Sequence, residues 1–177
     1  VEIGYEYEWG GMQYLAEMEA MNFNFHVANA GKNQDTISIV AWNYIREAKP
    51  NLFAVIYDQP DGVGHKAGHD TPEYYEMLTK LDGYLGEIIQ AVKDAGIYDE
   101  TIFIVTSDHG GIDKGHGGKT MEEMETPFII SGKNVKKGVK IEESIMQYDV
   151  GSTIAHIFRL EQPQVWIGRP MKQVFDE

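Results

Sequence analysis

Leu52-Phe53-Ala54-Val55-Ile56-Tyr57, then Thr71-Pro72-Glu73-Tyr74-Tyr75 running on to Lys93-Asp94-Ala95-Gly96, then Thr101-Ile102-Phe103-Ile104-Val105-Thr106 are the three runs that decide the fold. Thr71 has an N-cap side chain and Pro72 fits the first helical position. Tyr74, Tyr75, Leu78, Leu81, Leu85, Ile88, Ile89 and Val92 then recur at helical spacing, and Ala95-Gly96 closes the helix. The flanking runs are short, apolar and continuous, the pattern of strands covered on both faces. Strand, long helix, strand is a βαβ unit, so the class is α/β with a largely parallel sheet flanked by helices.

Working outward, Asp35 to Ala48 reads as a helix with Asp35 or Thr36 as N-cap; Ile37, Val40, Ala41, Tyr44 and Ile45 share a face, and Pro50 ends it. Thr126 to Ser131 reads as a third strand, and residues 149–159 as a short helix burying Ile154, Ile157 and Phe158. Tyr5, Tyr7, Trp9, Met12, Tyr14, Leu15, Met18 and Met21 form an aromatic, Met-rich stretch whose second half has helical spacing, an apolar face in need of cover. No repeat or linker divides the chain, so residues 1–177 are expected to form a single domain.

Composition narrows the function. Hydrophobic residues make up 42% of the 177 and charged residues 24%, the balance of a globular chain. A net charge of −13 repels nucleic-acid backbones and argues against duplex binding. No apolar run approaches the roughly 18 residues of a membrane span. There are no cysteines, so thiolate metal sites and disulfides are excluded. The chain opens on Val1-Glu2-Ile3 with neither an initiator Met nor a signal peptide, and is expected to be part of something longer.

In open α/β sheets, ligands bind beyond the carboxyl ends of the strands. Two polar, Gly-rich loops leave those ends and carry four of the six histidines. The first, Asp58 to Thr71, contains Asp61-Gly62-Val63-Gly64-His65 and Gly68-His69. The second, Ser107 to Lys119, contains Ser107-Asp108-His109-Gly110-Gly111, Asp113 and Gly115-His116-Gly117-Gly118. Imidazole and carboxylate together are the ligand set of Zn²⁺ and similar ions. Either loop alone could be a solvated turn, but two at one sheet edge point to a metal. His69, four residues past His65, could be a ligand, but at a helix entrance it reads rather as a surface or capping residue; His26 and His156, among apolar residues, read as core histidines. Gly118-Lys119-Thr120 resembles the end of a P-loop, but Asp113 stands where that motif needs its first glycine.

Asp61-x-x-Gly64-His65-x-x-Gly68, Ser107-Asp108-His109-Gly110 and His116-Gly117, in that order, resemble the metal-binding signature of the alkaline phosphatase superfamily, in its type I phosphodiesterase/nucleotide pyrophosphatase branch. The resemblance covers roughly residues 50–160 and corresponds to the C-terminal part of a family member. It implies two neighbouring metal ions, usually zinc, with magnesium or manganese as substitutes. Asp61, His65 and His116 would hold one ion. Asp108 and His109 would hold the other, together with an Asp and a nucleophilic Thr or Ser for which residues 1–50 show no counterpart. The implied reaction is hydrolysis of a small phosphate ester or nucleotide through a covalent phospho-enzyme, outside the cytoplasm, with a nucleophile not supplied by this chain. Thr106 and Ser107 read as structural. Sulfatases and phosphomutases of the same superfamily are alternatives, as is a non-catalytic zinc-binding fragment. An incomplete sheet edge is also expected to favour self-association.

Overall fold

A computed structural model describes the backbone of residues 2–5, 24–27 and 33–176, with side chains from residue 33 onward. The chain divides into two compact units, residues 1–99 with 111–117, and residues 100–110 with 118–177.

In the first unit, β1 (Glu2–Tyr5) lies between β2 (Asn24–Val27) and β3 (Leu52–Ala54), parallel to both. The helical stretch expected between Met12 and Met21 lies outside the described residues, as do the side chains of Tyr5 and His26. The β3 strand is shorter than the apolar run Leu52–Tyr57 that announced it, and that run is half-buried with Ile56 37% exposed. The strand stands last in the order β2-β1-β3 among the described residues and is less buried than its composition led us to expect.

Helix α1 (Gln34–Ala48) starts before the expected Asp35 or Thr36, because Asn33 takes the N-cap position. Its Oδ1 accepts the N–H groups of Asp35 (2.9 Å) and Thr36 (3.1 Å), satisfying two of the donors that a helix start leaves unpaired. Lys49, at φ 48°, returns its N–H to Ile45 and closes the helix before Pro50. The Gly-rich stretch after β3 contains α2 (Asp61–Ala67), a two-turn helix where a loop was expected. Helix α3 (Pro72–Asp94) is the long helix read from the sequence, with Thr71 as N-cap and Gly96, at φ 72°, just beyond its end.

Ile37, Ala41 and Ile45 of α1 and Ala91, Val92 and Ala95 at the end of α3 form this unit's core. Polar contacts tie the same two helices: Tyr84 and Lys80 reach the carboxylate of Asp35, and Arg46 donates twice to Asp94, at 3.2 and 3.0 Å. The Gln90 amide (2.8 Å) and then the Arg46 guanidinium hold the Asp94 carboxyl below its ordinary range. A lowered carboxylate pKa gives stability that is present above the unfolded-state value and lost as pH falls through the folded one. Urea midpoints of Asp94→Asn and the parent chain should therefore stay apart above about pH 4 and draw together progressively as pH falls below it.

The second unit is built on β4 (Ile102–Thr106) and β5 (Phe128–Gly132), paired antiparallel from Ile102 opposite Gly132 to Thr106 opposite Phe128. The partner of β4 is thus β5, and the parallel pairs among the described residues are those of β1. One turn of helix, α4 (Met121–Met124), precedes β5, whose start falls after Pro127, a residue with no N–H for a ladder. Helix α5 (Gln147–Ile157) buries Asp149, Ser152, Thr153 and Ala155 rather than the expected Ile154, Ile157 and Phe158; the first two are half-buried and Phe158 is 36% exposed. His156 is exposed and lies 5.8 Å from the Phe175 ring, so it is not a core histidine. The apolar core comprises Val135, Ala155, Met171 and Val174.

Asp149 explains why the buried face of α5 is polar. Its Oδ2 accepts the Met146 N–H and its Oδ1 the Arg169 N–H, both at 2.8 Å. One turn later, Thr153 Oγ1 accepts the Met171 N–H at 3.0 Å. Both side chains therefore fasten the C-terminal segment to α5. Asp149→Ala leaves two N–H groups unpaired, and a loss of about 2 kcal/mol in urea unfolding is expected. Among the described residues no helix is long and apolar enough to cross a membrane.

Candidate metal centre

Helix α2 converts a sequence spacing into a site. Asp61 and His65 are four residues apart, so they share one face of the helix. Its two internal glycines have neighbours that account for them. A Cβ on Gly62 would stand 2.9 Å from the Gln59 side chain, and one on Gly64 would stand 2.4 Å from Nε2 of His69. The other ligand-bearing piece of this unit, residues 111–117, is a tight turn in which Ile112 and Gly115 exchange both backbone hydrogen bonds at 3.0 Å. Asp113 sits at its tip at φ 49°.

The turn delivers His116 to Asp61 and His65, and among the described residues these three are the group able to hold a metal ion. His65 Nε2 lies 3.4 Å from Asp61 Oδ2, His116 Nε2 lies 3.6 Å from Asp61 Oδ1, and the two Nε2 atoms are 3.1 Å apart. One ligand atom from each of the three residues thus lies within 4.8 Å of the other two, close enough for a single ion held at about 2.0–2.2 Å to touch all three.

Two further features fit a cation. Asp61 Oδ1 is buried without a hydrogen-bond partner, a costly state for a carboxylate oxygen that an ion would relieve. His65 Nδ1 lies 3.0 Å from the Lys114 carbonyl, which can only accept, so Nδ1 carries the proton and the neutral ring's lone pair is on Nε2, the atom facing the other two ligands. The three side chains remain 31–48% exposed, leaving open the approach that catalytic sites keep and structural zinc sites close. Beside them, burial, and after it the negative charge of Asp61, raises the Tyr74 phenol above its ordinary range.

Asp108 and His109 stand in the second unit, after β4. His109 Nε2 lies 3.7 Å from Asp108 Oδ2, and the Asp108 side chain is 89% exposed. Asp108 Oδ1 accepts the N–H of His109 at 3.1 Å, and His109 Nδ1 lies 2.7 Å from the Gly110 carbonyl, which again places a neutral ring's lone pair on Nε2. Gln147 braces this loop through the Ser107 carbonyl. Ser107 Oγ donates to the His109 carbonyl at 3.1 Å, and Thr106 Oγ1 lies at the outer limit of a hydrogen bond, 3.5 Å, from the Ser107 carbonyl. At the P-loop-like Gly118-Lys119-Thr120, the Glu123 carboxylate accepts the N–H groups of Gly118 and Thr120 and the Thr120 hydroxyl; the motif is the entrance to α4, closed by a carboxylate.

A family model for type I phosphodiesterase / nucleotide pyrophosphatase matches residues 6–152. The chain belongs to that family. The match reaches well upstream of the 50–160 region in which the motifs alone showed a resemblance. Arylsulfatase K of Danio rerio is 29% identical over 109 residues, 54% of this chain and 21% of the relative. Ectonucleotide pyrophosphatase/phosphodiesterase family member 5 of Homo sapiens is 30% identical over 97 residues, 55% of this chain and 18% of the relative. The Homo sapiens bis(5'-adenosyl)-triphosphatase is 38% identical over 63 residues, 34% of this chain and 14% of the relative. The chain thus spans about a fifth or less of the length of these relatives. The structure of a 2-O GAG sulfatase superposes with a TM-score of 0.69 at 12% identity, over 85% of this chain and 50% of that one. A structure described as a sulfatase from Bacteroides thetaiotaomicron gives the same values. This likeness shows the fold, which is the α/β fold of alkaline phosphatase-like hydrolases.

The sequence left His69 as either a surface or a capping residue, and the structure removes the second of these. His69 is not the cap of α3, a role that Thr71 performs; its N–H and its ring both contact the Asp113 carbonyl. The available signal was Gly64 and Gly111, two glycines that make room for one ring.

Proposed function

We propose that this chain carries the metal-binding part of a hydrolase that cleaves phosphate esters, a phosphodiesterase or nucleotide pyrophosphatase acting on a small phosphate-ester or nucleotide substrate. The observation that carries the reading is the convergence of Asp61, His65 and His116, with one carboxylate oxygen left without a partner. Two imidazoles and a carboxylate are a zinc donor set, and a cation held there would supply positive charge against a phosphate oxygen in a chain of net charge −13.

Asp61 and His65 supply donors from a helix, a rigid element, and His116 supplies a third from a turn that His65 itself holds through Lys114. Asp108 and His109 are assigned to a second ion by the family's pattern, and the nucleophilic Thr or Ser to residues outside this chain. In support of the latter, the two hydroxyls nearest the Asp108 and His116 motifs in sequence, Ser107 and Thr120, each donate to an acceptor of their own loop. The same family pattern supports a location outside the cytoplasm.

A second reading, hydrolysis of a sulfate ester, is favoured by the Arylsulfatase K relatives. The complete natural protein separates the two. With zinc, magnesium or manganese supplied, it should hydrolyse bis-p-nitrophenyl phosphate well above p-nitrophenyl sulfate. The reverse preference would replace the phosphoesterase reading by the sulfatase one.

A further inference from the structure

The turn that carries His116 is gripped twice, each time by a histidine of the 61–69 segment. His65 Nδ1 takes the Lys114 carbonyl at 3.0 Å. His69 takes the neighbouring Asp113 carbonyl through its backbone N–H at 2.6 Å and its ring Nδ1 at 3.1 Å. Both carbonyls belong to the two residues at the turn's tip, and Asp113 holds a left-handed backbone conformation that non-glycine residues adopt at a cost.

The His69 ring is also seated. Its Nε2 edge lies against the backbones of Gly64 and Gly111, where added Cβ atoms would stand 2.4 and 2.3 Å away, too close for any side chain. Gly64 is on the helix of Asp61 and His65, and Gly111 opens the turn of His116. A single ring therefore sets the spacing of the two backbone pieces that bring the three ligands together. Like His65 it sets Nδ1 on a carbonyl of the turn, but its Nε2 edge packs on the two glycines, whereas the Nε2 of His65 faces the other ligands.

We propose that His69 is a positioning residue that clamps the 111–117 turn onto α2 and so holds His116 at ligand distance from Asp61 and His65. The inference rests on reading those three residues as a metal site, and it goes beyond that reading by assigning a role to a residue that touches no ion.

The test compares His69→Ala, His69→Asn and His69→Gln in the full chain, by zinc affinity in a chelator competition and by amide hydrogen exchange at Ile112 and Gly115 without metal. An Asn amide nitrogen can stand where Nδ1 stands, while a Gln nitrogen cannot. His69→Ala and His69→Gln should weaken zinc binding about 10–100-fold, the usual effect of removing a group that orients a ligand, and should speed exchange at both amides. His69→Asn should recover zinc affinity to within about threefold of the parent chain and restore the protection. The Asn and Gln pair decides the matter even if the Ala variant does not fold. Equal affinity and equal exchange in all variants, or Asn no better than Gln, would overturn the clamp. A parent chain that binds no zinc but shows His69-dependent exchange at the turn would overturn the metal reading and support the clamp. Tight zinc binding indifferent to residue 69 would do the opposite.

Discussion

Replacing His65 with alanine should weaken zinc binding by at least two orders of magnitude, and by more than the same change at His116. A complete structural zinc site binds with about 10–16 kcal/mol, so one ligand of three or four is worth about 3–4 kcal/mol, or a factor of about 100–1000. His116→Ala removes a ligand and leaves the rest of the site in place. His65→Ala removes a ligand and also the Lys114 contact that steadies the turn bearing His116, so two losses coincide in one substitution. His65→Asn keeps a donor near Lys114 and discards the ligand; its affinity should fall between that of His65→Ala and that of the parent chain. Isothermal titration, or competition with a chromophoric chelator at neutral pH, measures all three.

The second large effect concerns turnover. If the nucleophile lies outside this chain, as proposed, the chain given zinc should hydrolyse bis-p-nitrophenyl phosphate at least about a thousandfold more slowly than a longer protein that includes it. Groups that act as a catalytic unit fail as a unit, and the nucleophile is assigned here to residues outside the chain. In such a longer protein Asp108→Ala should cost a comparable factor if Asp108 holds a second ion as proposed, because Asp61, His65 and His116 are left untouched. The informative pair is therefore Asp108→Ala in the complete protein, with zinc retained and turnover lost, and His65→Ala, with both lost. Parent-like turnover by the isolated chain would move the nucleophile into it, with Ser107 and Thr120 the first residues to replace.

What could be read in the sequence was what is local. Thr71, Pro72 and Ala95-Gly96 mark both ends of α3 with side chains and backbone preferences that act within a few residues, and the structure places the helix there. The start of α1 was ambiguous for an equally local reason. Asn33, Asp35 and Thr36 are all good caps, and the choice falls on the one whose carbonyl oxygen reaches two N–H groups at once. Helix α2 was hidden because glycines at 62 and 64 argue against a helix on propensity. Their reason is the Gln59 and His69 side chains, which sequence alone does not place beside them. The antiparallel partner of β4 is a nonlocal choice and left no mark in the residues themselves. At the site, Asp61, His65 and His116 were legible through the two Gly-rich loops and the family's motif, although the helix that carries the first two was not. The double grip on Asp113 and Lys114 was not legible, because it is made to backbone carbonyls, which every residue has.

The central claim is that two imidazoles and a carboxylate of the first unit bind one ion. X-ray absorption at the zinc edge of the one-to-one complex tests it most directly. Two imidazole nitrogens and at least one oxygen at about 2.0–2.2 Å are expected, with one imidazole lost in His116→Ala. A shell of oxygens alone, or two imidazoles that persist in His116→Ala, would contradict it.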